Sequence, residues 1–330
     1  MRRKLELCIS VVGGGKPELT WDCLRSLVES FSRLDSVEIH FVDNAAPSDW
    51  FAGIEKLSPL IRTHRNDQRR GFAANHNAIM QSVDAEYYLL LNDDTIVHKN
   101  CCEELMAAAK RHPRVGFFGA RLFNGDGSNQ DSVYRFPSPR KALLDVLLLS
   151  RLFRGVEAFD DFANFSYAEE RCVDFVSGAA ILARGEMLAE VGFLDERYFM
   201  YSEETDWCLR ARKLGWLTLF VPTAEVVHFG GQSTSDMRPE RSVEFLRSHE
   251  KFISKHFGSG GLLSYRFLNL LKHTPRLAFA VISGRSPERV RTEGDSVLWS
   301  LNLLKRPGLS EANQPGCDCT SKTAKEAVLK

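Results

Sequence analysis

The sequence predicts an α/β fold: a mixed, mostly parallel central sheet covered by helices, with further helices at its C-terminal end. Three observations predict it. Over the first 120 residues short apolar runs alternate with amphipathic stretches, the pattern of repeated βαβ units. One run, "YYLLL" (87–91), is apolar without alternation, as expected of a strand buried on both faces. From about residue 239 helical spacing takes over, as in "PERSVEFLRSHEKFISKHF".

The elements follow in order. "LELCISVV" (5–12) reads as a first strand and not as a secretory leader, because Glu6 interrupts it and the apolar run ends at Gly13. "PELTWDCLRSLVESF" (17–31) is a helix with Pro17 at a favoured first position. "VEIHFVDN" (37–44) is a strand, followed by a short helix around 48–57 and a strand near 60–64. "GFAANHNAIMQSV" (71–83) is a helix that starts after Gly71, and "YYLLLND" (87–93) a strand. "KNCCEELMAAAKRH" (99–112) is a helix and "VGFFGA" (115–120) a strand. Residues 121–170, rich in Gly, Asn, Ser, Pro and aromatics, predict loops, a short hairpin and one helix. "CVDFVSGAAILARG" (172–185) predicts two strand segments hinged at Gly178. "WLTLFVP" (216–222) and "AEVVHFGG" (224–231) predict two more strands. The chain thus divides into a unit over 1–236, with halves 1–120 and 121–236, a helical extension over 237–305, and a polar tail over 306–330 expected to be disordered.

Composition narrows the function classes. The 330 residues carry no net charge, so no polyanion-binding surface and no nucleic-acid partner is expected. A local basic cluster, Arg62, His64, Arg65, Arg69 and Arg70, reads as a solvated face or a phosphate contact. Eight cysteines without a C-x-x-C unit point to a reducing compartment and a cytoplasmic location. No apolar run approaches the roughly 20 residues that cross a bilayer. The stretches 142–153 and 262–282 are apolar with basic residues. Both read by default as core helices, with contact at the inner face of a membrane as the alternative for 262–282.

Ligands of such sheets bind outside the carboxyl ends of the strands, which places Asp43, Asn44, Asp93 and Asp94 on one edge. Adjacent carboxylates at a buried strand end repel each other, and a turn, solvent or a cation must offset that. An Asx-type turn and a divalent metal site both answer the requirement. A second acidic cluster lies in "YFMYSEETDWCLRARKLGW" (198–216). Ser202 would cap a helix whose first turn holds Glu203, Glu204 and Asp206, acids the helix dipole favours. The aromatic flanks suggest instead a lined pocket in which a carboxylate of raised pKa serves as general base. His228, before Gly230 and Gly231, is either an ordinary strand-end residue or a ligand suited to Mn or Zn. In "NDQRRGFAANHNAIM" (66–80), Gly71 opens a helix carrying Asn75, His76 and Asn77, a start that attracts phosphate. The "GGG" at 13–15 forms no G-x-G-x-x-G or P-loop motif and reads as a tight turn.

Taken together, "VDN" (42–44), "RGFAANHNAIM" (70–80), "LLLNDDT" (89–95), the run from 174 to 216 and "VPTAEVVHFGGQST" (221–234) resemble the inverting glycosyltransferases of family 2, rhamnosyltransferase-like branch. The resemblance spans roughly residues 5 to 235 and rests on order and spacing more than on any single motif. It implies a GT-A fold, a nucleotide-binding α/β sandwich. It also implies a nucleotide-sugar donor, dTDP-rhamnose by analogy with the branch, and a saccharide or lipid-linked acceptor in surface polysaccharide synthesis. Asp43 would hold the nucleotide base, with Asn44, Gly71, Asn75, Asn92, Asp93 and Gly178 around the donor. Asp94 would bind a divalent cation, Mn or Mg, with His228 as a further ligand. Glu204 would be the catalytic base. Tyr201, Glu203 and Trp207 would meet the acceptor or stack on sugar faces. One departure stands out: "VVGGGKPEL" replaces the Thr-Tyr-Asn-like stretch usual after the first strand. It motivates an alternative, a sugar-nucleotide or glycan-binding protein without transfer activity.

Overall fold

The computed structural model describes residues 4–13, 16–31, 36–46, 50–147, 165–230, 238–305 and 310. Apart from Ser310, the tail over 306–330 lies outside them, as do Gly14, Gly15 and the end of the 142–153 stretch. The chain begins β1 (Leu5–Gly13), α1 (Pro17–Glu29), β2 (Val37–Asp43), a 3-10 turn (Ile54–Leu57), β3 (Ile61–Arg65), α2 (Phe72–Ser82), β4 (Ala85–Asn92), β5 (Thr95–Val97) and α3 (Cys101–Arg111). It continues β6 (Val115–Phe123), β7 (Asn129–Gln130), β8 (Val133–Tyr134), α4 (Pro139–Val146), β9 (Arg171–Val173), β10 (Phe175–Val176), β11 (Ala180–Arg184) and α5 (Gly185–Val191). Then come α6 (Glu203–Lys213), β12 (Leu217–His228), α7 (Arg238–Ile282) and α8 (Pro287–Ser300).

The main sheet runs β3-β2-β1-β4-β11-β6-β12-β5. Its first four strands are mutually parallel, as are β6 and β12. β11 enters antiparallel between β4 and β6, and β5 closes antiparallel on β12, which makes the sheet mixed. Leu7, Ile9 and Val11 of β1 face one core with Leu24 of α1 and Leu105 of α3. Cys8 faces the other core with Ile79 of α2 and Trp207 of α6. With both faces covered, the alternation of a half-exposed strand is lost, as the 87–91 run predicted. Cys8, Cys23, Cys101, Cys102, Cys172 and Cys208 are free thiols.

Two expectations need correction. The strands expected at 216–222 and 224–231 are one, β12, carried through a register shift between Val221 and Glu225. Pro222, which has no N–H to donate, falls inside that irregularity, where the ladder tolerates it. Ser202 sits at the start of α6, but its side chain makes no capping bond because its backbone is left-handed (φ 67°). Tyr201 before it is left-handed too (φ 72°), a pair that costs of order 1 kcal/mol or more per residue.

Helix α7, bent at Gly258, holds this strained loop in place. Ser248 Oγ donates to the Met200 carbonyl at 2.8 Å and Lys251 Nζ to that of Arg197 at 2.8 Å. Asp206, fully buried, receives Arg210 (2.8 Å), Lys255 (2.6 Å) and His256 (2.8 Å). Burial alone would raise its pKa, but these three donors outweigh burial and hold the carboxyl below its usual range. Asp206 is thus a fastener between α6 and α7. Among the described residues no helix is long and apolar enough to cross a membrane.

Candidate active site

The acidic turn after β4 is built by its neighbours. The Asn92 backbone N–H donates to the Ala179 carbonyl of the antiparallel partner side (3.0 Å), and Thr95 Oγ1 donates to the Asn92 carbonyl (2.7 Å). Asp93 turns toward α1 and the end of β1, and Thr20 Oγ1 of α1 donates to its Oδ2 at 2.8 Å. A side chain at Gly13 would stand 2.9 Å from that same oxygen and from Phe41, so glycine is required there for space. Asp94 turns the other way, toward the end of β12. The Asp94 carbonyl accepts from the Phe229 N–H at 2.9 Å, and Asp94 Oδ1 lies 3.3 Å from His228 Nε2. Asp93 and Asp94 are both buried.

The geometry fixes which nitrogen of His228 is available. Gln130 donates through Nε2 to the His228 carbonyl (3.0 Å) and to Asn124 Oδ1 (2.8 Å). Its Oε1 therefore faces His228 Nδ1 at 2.6 Å, and Nδ1 must carry the proton. In the neutral ring Nε2 then presents a lone pair to Asp94, with Asn92 Nδ2 3.3 Å away. The two potential ligand atoms stand 3.3 Å apart. Adjacent corners of an octahedron with bonds of about 2.1 Å lie about 3 Å apart, so a divalent ion fits between them. Among the described residues no third His, Cys, Asp or Glu joins the pair to form a closed metal cluster. An ion there would keep positions open for other ligands.

Across the cavity, α6 begins with Glu203 and Glu204. Burial pushes the Glu204 pKa up to about 7, against backbone N–H groups of Glu204 and Thr205 that favour the ionised form. Glu203 is raised well above the carboxylate range by burial and by the adjacent Glu204, and its Oε2 meets no hydrogen-bond partner among the described residues. Both carboxyls are thus held above their usual range, Glu204 at about 7, where a general base works best. A methyl group on Gly178 would pack at 3.5 Å from the Phe72 ring and 3.8 Å from Glu204 Cγ, which places this glycine directly beside the base.

One cavity of about 270 Å³ joins these groups. Asn44, Asn75, Asn92, Asp93, Asp94 and His228 line one side, and Gly178, Tyr201, Glu203 and Glu204 the other. Gly13, Arg69, Arg70, Phe72, Phe199 and Arg241 complete the wall. Asn44 holds the 66–70 loop, accepting from the Arg70 N–H (2.8 Å) and from Asn66 Nδ2 (3.0 Å). Asn75 grips the same loop through the Arg70 and Gly71 carbonyls (3.2 and 3.0 Å).

Three expected site residues lie elsewhere. Trp207 is fully buried against Phe117 at 4.7 Å, with Nε1 donating to the Gly192 carbonyl at 2.8 Å, so it fills the core and cannot stack on a sugar. Gly71 is needed for packing: a side chain there would meet the Phe199 carbonyl oxygen at 2.6 Å, and the Phe72 N–H at this helix start already donates to that oxygen. Asp43 is fully buried behind the wall, its Oδ1 accepting from the Ala46 N–H (2.9 Å) and its Oδ2 3.4 Å from Arg65 Nε. His76 and Asn77 are internal struts, bonded to Ser10 Oγ (2.8 Å) and the Leu194 carbonyl (2.9 Å). Sequence reasoning missed Thr20, Gln130 and Arg241. Each belongs to an ordinary helix or, for Gln130, the two-residue strand β7, and serves the site only through the fold.

The chain is similar in sequence and in fold to known glycosyltransferases. Residues 15–167 match the family model described as "Glycosyl transferase family 2". The N-acetylglucosaminyl-diphospho-decaprenol L-rhamnosyltransferase of Mycobacterium tuberculosis is 33% identical over 149 residues, 45% of this chain and 48% of that protein. The chain thus spans about half the length of that relative. Rhamnosyltransferase WbbL of Escherichia coli K12 is 26% identical over 196 residues, 56% of this chain and 70% of that one. Among solved structures, the mannosyltransferase PcManGT of Pyrobaculum calidifontis, in complex with GDP-Man and Mn2+, superposes with a TM-score of 0.58 at 12% identity, covering 92% of this chain and 88% of that chain. GalNAc-T7 with UDP, GalNAc and Mn2+ gives a TM-score of 0.51 at 14% identity, over 68% of this chain and 43% of that chain. These likenesses establish the GT-A fold.

Proposed function

We propose, from the match of residues 15–167 to glycosyltransferase family 2 and the likeness to rhamnosyltransferases, that the chain transfers a sugar, with inversion, from a nucleotide-sugar donor to a saccharide or lipid-linked acceptor. One observation carries the reading: Glu204 and the Asp94–His228 pair, distant in sequence, line the same cavity. The acceptor hydroxyl oxygen attacks the anomeric carbon, and its proton passes to Glu204. The bond from that carbon to the diphosphate oxygen breaks on the opposite face, and its electron pair leaves with the diphosphate. A single in-line displacement of this kind inverts the anomeric centre.

Asp94 and His228 would hold a divalent ion, Mn2+ or Mg2+, which when bound supplies Lewis-acid neutralisation of the leaving diphosphate. The protein's own groups do the rest. Gln130 fixes the His228 tautomer, and Thr20 holds Asp93 against β1. Arg69 and Arg70 bring positive charge to the wall that a diphosphate would meet. Tyr201 and Gly178 line the cavity beside Glu204, where the acceptor hydroxyl would approach. On this reading the 1–120 half binds the donor and the 121–236 half serves the acceptor and catalysis. The names of the relatives favour a rhamnosyl donor. Incubation of the purified protein and Mn2+ or Mg2+ with a nucleotide-sugar panel that includes dTDP-rhamnose, read by mass spectrometry, should yield free nucleoside diphosphate from one donor. Metal-dependent nucleotide binding without turnover of any donor would favour the non-catalytic alternative.

The second half of α7 supports contact with a membrane surface. Leu263, Phe267 and Leu271 follow one another at four-residue spacing, exposed by 72, 58 and 47%, and Phe279 and Ile282 continue the apolar exposure. Arg276 lies among them, while Arg266 and Lys272 turn inward to Glu250 and Asp145, so the support is the exposed apolar row itself. Sedimentation with phosphatidylglycerol vesicles should carry the protein down at low salt. Phe267→Glu together with Leu271→Glu should abolish this. Equal sedimentation of that variant would remove the helix from the membrane.

A further inference from the structure

A second cavity, of about 920 Å³, opens between the two halves of α7 and helix α8. Its walls include Phe245, His249, Tyr265, Asn269, Thr292 and Trp299. That volume lies within the range of about 300–1,000 Å³ typical of ligand pockets. It shares two residues, Tyr201 and Arg241, with the cavity that holds Glu204. Arg241 Nε donates to the Tyr201 hydroxyl at 2.9 Å, so these two side chains form the partition between the cavities.

The wall chemistry narrows the occupant. Tyr265 and Trp299 are 6.2 Å apart edge to face, and His249 lies between Phe245 (4.8 Å) and Tyr265 (6.0 Å). Flat rings interleaved with Ser, Thr and Asn side chains suit a molecule with apolar C–H faces and a hydroxyl rim. The His249 Nδ1 is covered and meets no hydrogen-bond partner among the described residues. Its ring is held neutral by burial and by Lys141, with a pKa lowered to about 4. Arg241, Lys272 and Arg291 on the wall are nearly balanced by Glu288 and Asp295. A strongly anionic ligand such as a diphosphate would find an excess of only one positive charge here, and an acyl chain would meet too many polar groups.

We propose that this cavity is the subsite for the saccharide part of the acceptor, with the reacting hydroxyl reaching past the edge of the Tyr201–Arg241 pair toward Glu204. The proposal rests on the transferase reading and adds the location and chemical class of the second substrate. It makes the C-terminal helices a substrate-binding part of the enzyme.

The test uses the full chain with two variants that fill the cavity from its wall, Thr292→Trp and Ser242→Trp. The probes are free glucose, galactose, mannose, rhamnose and N-acetylglucosamine, and their saturation-transfer NMR signals are recorded in Mg2+ with UDP, GDP or dTDP present. At least one sugar should receive saturation from the wild type, and either variant should reduce that signal at least five-fold. Calorimetric binding of the nucleoside diphosphate should be unchanged in both variants. The wild type provides a readout independent of either variant: the bound sugar should slow amide hydrogen exchange over 241–249 and 292–299, and not over 72–82. Absence of saturation for every sugar, a signal indifferent to both fillings, or protection elsewhere would each overturn the subsite. Absence of nucleotide binding in the wild type would instead overturn the transferase reading, so the two failures are distinguishable.

Discussion

Replacing Glu204 with glutamine is expected to lower turnover by about 10²–10⁴-fold while nucleotide binding stays within a factor of two. The amide preserves size and hydrogen bonding but cannot accept a proton from the acceptor hydroxyl. The carboxyl stands at about 7, lifted by burial, so only its ionised fraction is active. Wild-type kcat should therefore rise with pH through about 7 and level off above it, and the residual rate of Glu204→Gln should lack this limb. The sign reverses for stability. A carboxyl raised in the folded state from the usual 4.5 stabilises the fold fully below that value, and the contribution is lost as pH climbs through about 7. Urea denaturation of the wild type should lose stability over that window more steeply than Glu204→Gln does. A variant retaining near-normal turnover would remove Glu204 from the role of base.

Replacing Asp94 with asparagine should abolish the gain in nucleoside diphosphate affinity that Mn2+ confers, while metal-free binding changes little. The reason is local: Asp94 Oδ1 and His228 Nε2 stand 3.3 Å apart, and an amide removes the carboxylate charge that would hold the ion. Because Asp94 is buried, the substitution also relieves repulsion with Asp93, so the melting temperature should hold or rise. Calorimetry with and without Mn2+, alongside thermal melts, checks both. A variant that keeps metal-enhanced affinity would exclude Asp94 as a ligand.

Much of the architecture was legible because burial leaves a local trace. The unbroken apolar run at 87–91 announced a strand covered on both sides, and the carboxyl-end rule put Asp93 and Asp94 at a cleft before any coordinate did. The convergence of 94, 204 and 228 on one cavity was legible only through a resemblance, since no local pattern links three segments so far apart. Trp207 misled because aromatic residues near acids look alike whether they line a pocket or fill a core. Its position on the inward face of α6 decides, and that needs the partner Phe117. Gly71 misled in the same way, since a helix-opening glycine can serve an anion or a neighbouring backbone. Thr20 and Gln130 had no signal at all: each acts by orienting another side chain, and orientation is a property of the assembled fold.

The loop that carries the base is fastened from both sides of the molecule. Phe199 is tied to α2, Met200 to Ser248, and the Tyr201 hydroxyl to Arg241. We infer that a fragment ending near residue 236 would fall short of a minimal catalytic unit, although the family resemblance stops there. Cutting before α7 would release two left-handed residues from the contacts that hold them, and the base would drift before any substrate arrived.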